Sequence, residues 1–169
     1  MSVNKDILFI HGAPGVGKST IAEALHRRLN SPWFEFGWIP EFRQKGEVTL
    51  PYEEEEQLSF ENLCLVVSNY LRHGFHNIIL TDLRDPVMRQ AQRRFSRRDW
   101  LLVTLWVSDD AFLKQRVLDE TRSSGYRDWQ EAISLNRLYL SRPQLKNELR
   151  IDLTACPVDT AVDQIIAYS

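Results

Sequence analysis

Short runs of consecutive apolar residues alternate along this chain with longer stretches in which apolar positions recur every three or four residues. Ile7-Leu8-Phe9-Ile10 is the first such run, and it ends at His11-Gly12. An unbroken apolar tetrad predicts a strand buried on both faces rather than one with a wet side. After a glycine-rich turn, Ile21, Leu25 and Leu29 fall at helical spacing. They predict a helix from Ser19 to about Asn30, stopped by Ser31-Pro32. Trp33 to Phe36 reads as a second strand. The segment from Gly37 to Pro51 that follows holds two prolines and two glycines, an irregular stretch of the kind that carries function in compact domains.

Tyr52 to about His73 predicts a long helix with Phe60, Leu63, Val67 and Tyr70 on one side, closed by Gly74. Its acidic start, Glu53 to Glu56, matches the positive end of the helix dipole and reads as a solvated turn. Asn77 to Asp82 predicts a buried strand with an acid at its C-terminal end. Asp85-Pro86 opens a helix that turns Met88, Ala91 and Phe95 inward. Trp100 to Val107 is the next strand, and Ser108-Asp109-Asp110 is a helix N-cap signal for a helix reaching about Thr121. Ser123-Ser124-Gly125 breaks the pattern. A further helix runs from Asp128 to about Arg142, Leu149 to Leu153 forms a last strand, and Val158 to Tyr168 a last helix with Ala161, Val162, Ile165 and Ile166 on its apolar face. Strands alternating with amphipathic helices predict a three-layer α/β fold, with about five parallel strands covered on both faces by right-handed crossovers. Ligands in such sheets bind beyond the carboxyl ends of the strands.

The 169 residues suffice for one continuous core, so residues 1–169 are expected to form a single domain. Hydrophobic residues make up 43% and charged residues 26% of the chain, with a formal net charge of −2. That balance argues against nucleic acid as the main partner, since nonspecific binding needs a strong basic excess. No apolar run reaches the ~18 residues of a membrane span, and the N-terminal residues do not resemble a signal peptide. Cys64 and Cys156 each sit among apolar neighbours and read as reduced, buried thiols, which points to a cytoplasmic protein.

The strongest chemical signal is Gly12-Ala13-Pro14-Gly15-Val16-Gly17-Lys18-Ser19, continued by Thr20. A triphosphate taken from water needs donors, and backbone N–H groups supply them without ordering side chains. Glycines let the chain wrap closely enough to aim those groups. The loop follows a buried strand and opens a helix, whose positive end adds attraction for anions. Lys18 is placed to bridge the β- and γ-phosphates, and the Ser19 hydroxyl to ligate Mg²⁺.

With this loop near the N-terminus, acids at the ends of the second and third strands and arginines before the last strand, the chain resembles the P-loop small-molecule kinases. That family includes adenylate kinase, shikimate kinase, gluconate kinase and chloramphenicol phosphotransferase. The resemblance implies ATP and Mg²⁺ as cofactors. It places Glu35 at the metal and the acceptor hydroxyl, while a second acid that the family often carries two residues on falls here on Gly37. Glu35 or Glu41 is left as the catalytic base. Glu41 and Arg43 resemble an acceptor-binding segment, although an exposed charged loop accounts for them equally well. Asp82 matches the acid that holds magnesium through water, and Arg84 approximates an arginine that would serve an anionic acceptor. Arg116, Arg122 and Arg127 flank a break that the resemblance marks as a lid, at about residues 116–130, closing over the transferred group. Arg127 has a competing reading as a surface partner of Asp128 or Asp119. No Cys or His cluster marks a zinc-bearing lid. Arg89, Arg93, Arg94, Arg97 and Arg98 read as solvated or paired, and His11, His73 and His76 as structural. Trp38 and Phe42 are candidates to stack on an acceptor ring.

The implied function is transfer of the γ-phosphoryl group of ATP to a small-molecule acceptor: a nucleotide, a nucleoside or another hydroxylated metabolite. The competing function is a nucleotide-binding regulatory switch. A guanine-specifying Asn-Lys-x-Asp segment is missing, and Asp82 is followed neither by a switch glycine nor by a water-activating Glu. A homodimer is compatible with the sequence.

Overall fold

A computed structural model describes residues 4–38, 50–121 and 124–168. Strand β1 (Ile7–His11) is buried along its whole length. It lies between β3 (Ile78–Thr81) and β4 (Trp100–Trp106), with β2 (Trp33–Glu35) outside β3 and β5 (Glu148–Asp152) outside β4. All four pairings are parallel, so every connection crosses over a face of the sheet. Among the described residues, five helices make these crossovers, α1 (Lys18–Leu29), α2 (Tyr52–Arg72), α3 (Asp85–Arg94), α4 (Asp110–Leu118) and α5 (Trp129–Ser141), and a sixth, α6 (Val158–Ala167), follows β5. The five-stranded parallel α/β architecture expected from the alternation is the one observed.

The period of two along β1 divides the core. Ile7 and Phe9 project into a cluster with Phe60, Leu63 and Val67 of α2 and Val87, Met88 and Ala91 of α3. Leu8 and Ile10 project into the opposite cluster, with Ile21 and Leu25 of α1 and Ala161, Val162 and Ile165 of α6. Each fully buried side chain of this size contributes roughly 1.5–3 kcal/mol by its removal from water. Because both faces of β1 are covered, its position is set independently by two layers.

Local chemistry explains most element ends. The Asp109 side chain accepts from the amides of Ala111 and Phe112, capping α4 as its sequence signal predicts. Asp128 caps α5 by accepting from the Glu131 amide at 2.9 Å. Helix α4 stops at Leu118, short of the expected Thr121. The Asp119 carboxylate takes the Thr121 amide at 2.9 Å and its hydroxyl at 2.7 Å, a side-chain turn that replaces the next helical turn. Of the two free cysteines, Cys64 is buried and Cys156 only half-buried, because Cys156 lies in the loop leading into α6. Desolvation pushes the Cys64 thiol up to about 11.

One ion-pair network lies within the sheet. Glu148, 2% exposed at the start of β5, accepts from the Thr104 hydroxyl at 2.5 Å, the Leu145 amide at 2.9 Å and Arg142 Nη2 at 2.8 Å, with Arg150 Nε at 3.3 Å. Burial pushes its carboxyl up, but the Thr104 hydroxyl, the Leu145 amide and the two arginines more than offset this and hold it below the usual carboxylate range. Removing one member of such a buried group leaves the rest uncompensated, so Glu148→Ala is expected to cost about 3 kcal/mol in urea denaturation. A carboxylate with a depressed folded pKa stabilises above the ordinary carboxylate range, and that contribution is lost as pH falls through the folded value. The acid limb of the stability profile should therefore be shallower in Glu148→Ala than in the parent protein.

Candidate active site

The glycine loop leaves the end of β1 in contact with the neighbouring strand. Gly12 has φ 149°, and a Cβ there would overlap the Leu105 carbonyl oxygen of β4 and lie 2.8 Å from Val16 Cγ2, so the exit admits glycine alone. Ala13 and Val16 are buried beneath the loop. Helix α1 then starts at Lys18 behind Gly17, with no side-chain cap. Its first N–H groups face the cavity with the positive end of the helix behind them, the arrangement that attracts phosphate. Lys18 folds back, donating to the carbonyls of Gly12 at 2.9 Å and Ala13 at 3.1 Å. The Ser19 hydroxyl donates to Glu35 Oε2 at 3.1 Å.

Two acids reach this loop from adjacent strand ends. Glu35 closes β2 and is in register with Thr81 of β3, and Asp82 follows directly. Asp82 has φ 62°, a left-handed conformation that Asp and Asn tolerate better than most residues. Burial raises its carboxyl above the usual range, partly offset by the Lys18 charge and a hydrogen bond from the Gly37 amide. A Cβ at Gly37 would stand 3.2 Å from Asp82 Oδ2. The glycine that replaces the expected second acid thus makes room for Asp82. Thr81 accepts from the Trp33 indole at 3.0 Å, and Trp33 packs on Trp38 with ring centroids 4.8 Å apart, forming an aromatic wall beside the acids.

The arginines divide. Arg116, from α4, lies over the loop: a Cβ on Gly17 would meet its Nη2 at 3.0 Å. Arg127 turns its Nη1 onto the carbonyls of Ser124 at 2.6 Å and Tyr126 at 2.9 Å, closing its own connection. Arg84 is bound by Glu56 at the start of α2, through Nε at 3.1 Å and Nη2 as well, and lies 5.5 Å from the centre of the Tyr52 ring. The acidic start of α2 is therefore not wholly solvated, because at Glu56 it neutralises Arg84. Glu41, Phe42, Arg43 and Arg122 lie outside the described residues.

A cavity of about 520 Å³ joins Pro14, Gly15, Gly17, Lys18, Ser19 and Thr20 to Glu35, Asp82 and Arg116, with Asp119, Ser124 and Tyr126 completing its wall. The last three were missed in the sequence as lining residues. Their signal was the break after α4, which drew attention to its arginines instead. Among the described residues no three His, Cys, Asp or Glu side chains converge to hold a metal ion. Ser19, Glu35 and Asp82 offer oxygen donors only, a set suited to magnesium, which keeps several waters and takes the rest of its ligands from phosphate.

A parallel sheet with a glycine loop at the end of its central strand, and acids at the ends of the next two, defines the P-loop kinase class. Residues 5–158 match the family of chloramphenicol phosphotransferase-like proteins, and the chain belongs to that family. Among solved structures it is similar to a gluconokinase from Sinorhizobium meliloti (TM-score 0.63, 14% identity, 95% of this chain and 89% of that one). It is also similar to a tunicamycin resistance protein from Deinococcus radiodurans (0.63, 21%, 94% and 92%) and a shikimate kinase from Bacteroides thetaiotaomicron (0.58, 18%, 94% and 95%). At these identities the likeness shows a shared fold. No curated protein matches the chain.

An acid whose folded pKa is raised destabilises the protein once it ionises, since the charged form is worse solvated than in the unfolded chain. Asn suits the left-handed backbone at position 82 equally well and carries no charge. Because Asp82 is exposed, solvent screens most of this penalty, and Asp82→Asn is expected to raise the thermal midpoint only slightly at neutral pH, with the gain vanishing as pH falls through the raised pKa, as calorimetry would show.

Proposed function

We propose that the protein is an ATP- and Mg²⁺-dependent kinase that transfers the γ-phosphoryl group to a hydroxyl of an uncharged small molecule. The observation behind this is the convergence, in one cavity, of an uncapped helix start, Lys18 and Ser19 with the carboxylates of Glu35 and Asp82. Lys18 and Ser19 hydrogen-bond to protein groups, the loop carbonyls and Glu35. Nucleotide entry exchanges the Gly12 and Ala13 carbonyls for phosphate oxygens at Lys18, and the Ser19 hydroxyl turns from Glu35. Ser19 and Asp82 would hold magnesium, which would supply neutralisation of phosphate charge.

Glu35, released from Ser19, accepts the proton of the acceptor hydroxyl, with Glu41 the alternative base. The acceptor oxygen forms its bond to γ-phosphorus as the bond to the β-phosphate oxygen breaks, and ADP leaves with the electron pair. Arg116 stabilises charge on the transferred group. Arg122 and Arg127 join it when the connection at 116–130 closes as a lid, for which Arg127 must exchange backbone carbonyls for phosphoryl oxygens. Glu41 and Arg43 contact the acceptor.

The acceptor class follows from charge. Of the two arginines placed for an anionic acceptor, Arg43 lies outside the described residues and Arg84 is already paired with Glu56, while Glu35 and Asp82 repel anions. A neutral alcohol such as a sugar or a hydroxylated antibiotic fits better than a nucleotide, and the family's name agrees with this. On this reading residues 1–169 act as one cytoplasmic domain.

The test is acceptor-dependent ADP release across a panel of sugars, nucleosides, nucleotides and hydroxylated antibiotics. Lys18→Ala should lower the rate by about two orders of magnitude or more. ADP or ATP binding with no acceptor-dependent release from any class would overturn the kinase assignment, and a preference for phosphorylated acceptors would overturn the charge argument. Gly37→Asp, which restores the second acid, is expected to weaken Mg·ADP binding about tenfold or more in a calorimetric titration, because its side chain displaces the Asp82 carboxylate.

A further inference from the structure

Two groups take no part in this scheme: the buried His11 imidazole and the half-buried Asp85 carboxylate. His11 is the last residue of β1, immediately before Gly12, and is 3% exposed. Its Nε2 lies 3.2 Å from Asp85 Oδ1, and its ring packs on Tyr139 of α5 with centroids 4.3 Å apart. Asp85 is the first residue of α3, and its other oxygen takes Arg89 Nη2 at 3.1 Å. His11 Nε2 and Asp85 Oδ1 are closed off from solvent, and among the described residues each has only the other within reach. The 3.2 Å contact from the His11 ring N–H, ahead of any purely electrostatic attraction, is the main cause that holds Asp85 below the ordinary carboxylate range.

A buried polar atom with no other partner calls for a reason, since an apolar ring at position 11 would fill the same space without the desolvation cost. The location supplies one. His11 leads into the glycine loop, and Asp85 ends the turn that begins with Asp82. A contact between the two ties the loop to the acid turn beneath the cavity, and Tyr139 attaches the helix that follows the 119–128 connection to the same point.

We propose that His11 is a positioning residue: through Asp85 it holds the Asp82–Asp85 turn against the glycine loop, so that Asp82 and the loop engage one magnesium–nucleotide together. The proposal rests on the kinase reading above, and neither residue touches substrate. The loop alone sets the affinity for ADP without metal. The gain in affinity on adding magnesium requires Asp82 in register with the loop, and this gain is what the pair controls.

The experiment measures ADP binding to the full chain by calorimetry, with magnesium and with chelator, for the parent protein, His11→Phe, His11→Gln, Asp85→Ala and the double variant His11→Phe/Asp85→Ala. His11→Phe keeps a ring against Tyr139 and removes the donor. The magnesium-dependent gain should then fall about threefold or more, while metal-free affinity stays at the parent value. Asp85→Ala should match it, the double variant should be no worse than the worse single one, and His11→Gln, which keeps an N–H donor, should retain most of the gain. An unchanged gain in His11→Phe and Asp85→Ala, additive losses, or equal losses with and without magnesium would each overturn the proposal. Should His11→Phe fail to fold, Asp85→Ala decides, since that side chain is already 25% exposed. A parent protein whose ADP binding is indifferent to magnesium would remove the kinase reading and this inference with it, whereas a clear parent gain with indifferent variants removes this inference alone.

Discussion

The burial of β1 on both faces is the constraint from which the site follows. A strand between two parallel neighbours, with Ile7 and Phe9 packed on one layer and Leu8 and Ile10 on the other, cannot slip or tilt without disturbing both cores. Its end is therefore the most firmly placed point in the sheet, and the glycine loop hangs from it. The close approach of Gly12 to the Leu105 carbonyl carries that rigidity into the first loop residue. Register does the rest: β3 lies beside β1 and β2 beside β3, so residues just past the strand ends share one rim. Glu35 and Asp82 belong to different crossovers and meet at the loop because parallel strands all terminate on the same side.

Electrostatics at that rim is held in balance by internal substitutes for ligand. Lys18 rests on carbonyls of its own loop, and Ser19 on Glu35. These contacts are charge-assisted hydrogen bonds, worth about 1.5–3 kcal/mol each net and less where solvent screens them, so bonds to phosphate oxygens can replace them. Asp82 is different, because burial raises its pKa even with Lys18 nearby. Partial desolvation of this carboxylate is a cost that a bound cation would relieve. Relief of that cost is one source of differential stabilisation by a charged ligand.

The architecture was legible because period-two and period-3.6 patterns are local. Ile7 to Ile10 must be a covered strand, and Ile21, Leu25 and Leu29 must share a helix face, whatever lies around them. The loop was legible for the same reason, being eight consecutive residues whose conformation depends on one another. What could not be read were side-chain destinations set by residues far apart in the chain. Arg84 meets Glu56 across 28 positions, and nothing near either residue announces it. Arg127 finds the carbonyls of its own connection, a choice set by how that connection folds. The end of α4 was misplaced because a single carboxylate, Asp119, outcompeted the backbone for the Thr121 amide. His11 was read as structural from its place between an apolar run and a glycine. Its burial agrees, but its contact with Asp85 links two crossovers and exists only in three dimensions.

The glycine at position 37 joins these lines. In sequence it is a missing acid, and so a weakness in the kinase resemblance. In space it lies beside Asp82, donating its amide to that carboxylate and leaving room that a side chain would fill. The rim already gathers Glu35, Asp82 and Asp119 against Lys18 and Arg116. A further carboxylate at 37, a few ångströms from Asp82, would repel it and raise the pKa of one of the pair. Such a pair holds a proton in place of a metal. The glycine trades a second acceptor-side acid for a single carboxylate whose direction the Gly37 amide fixes, and a cleft with one acid fewer is less hostile to anionic phosphate.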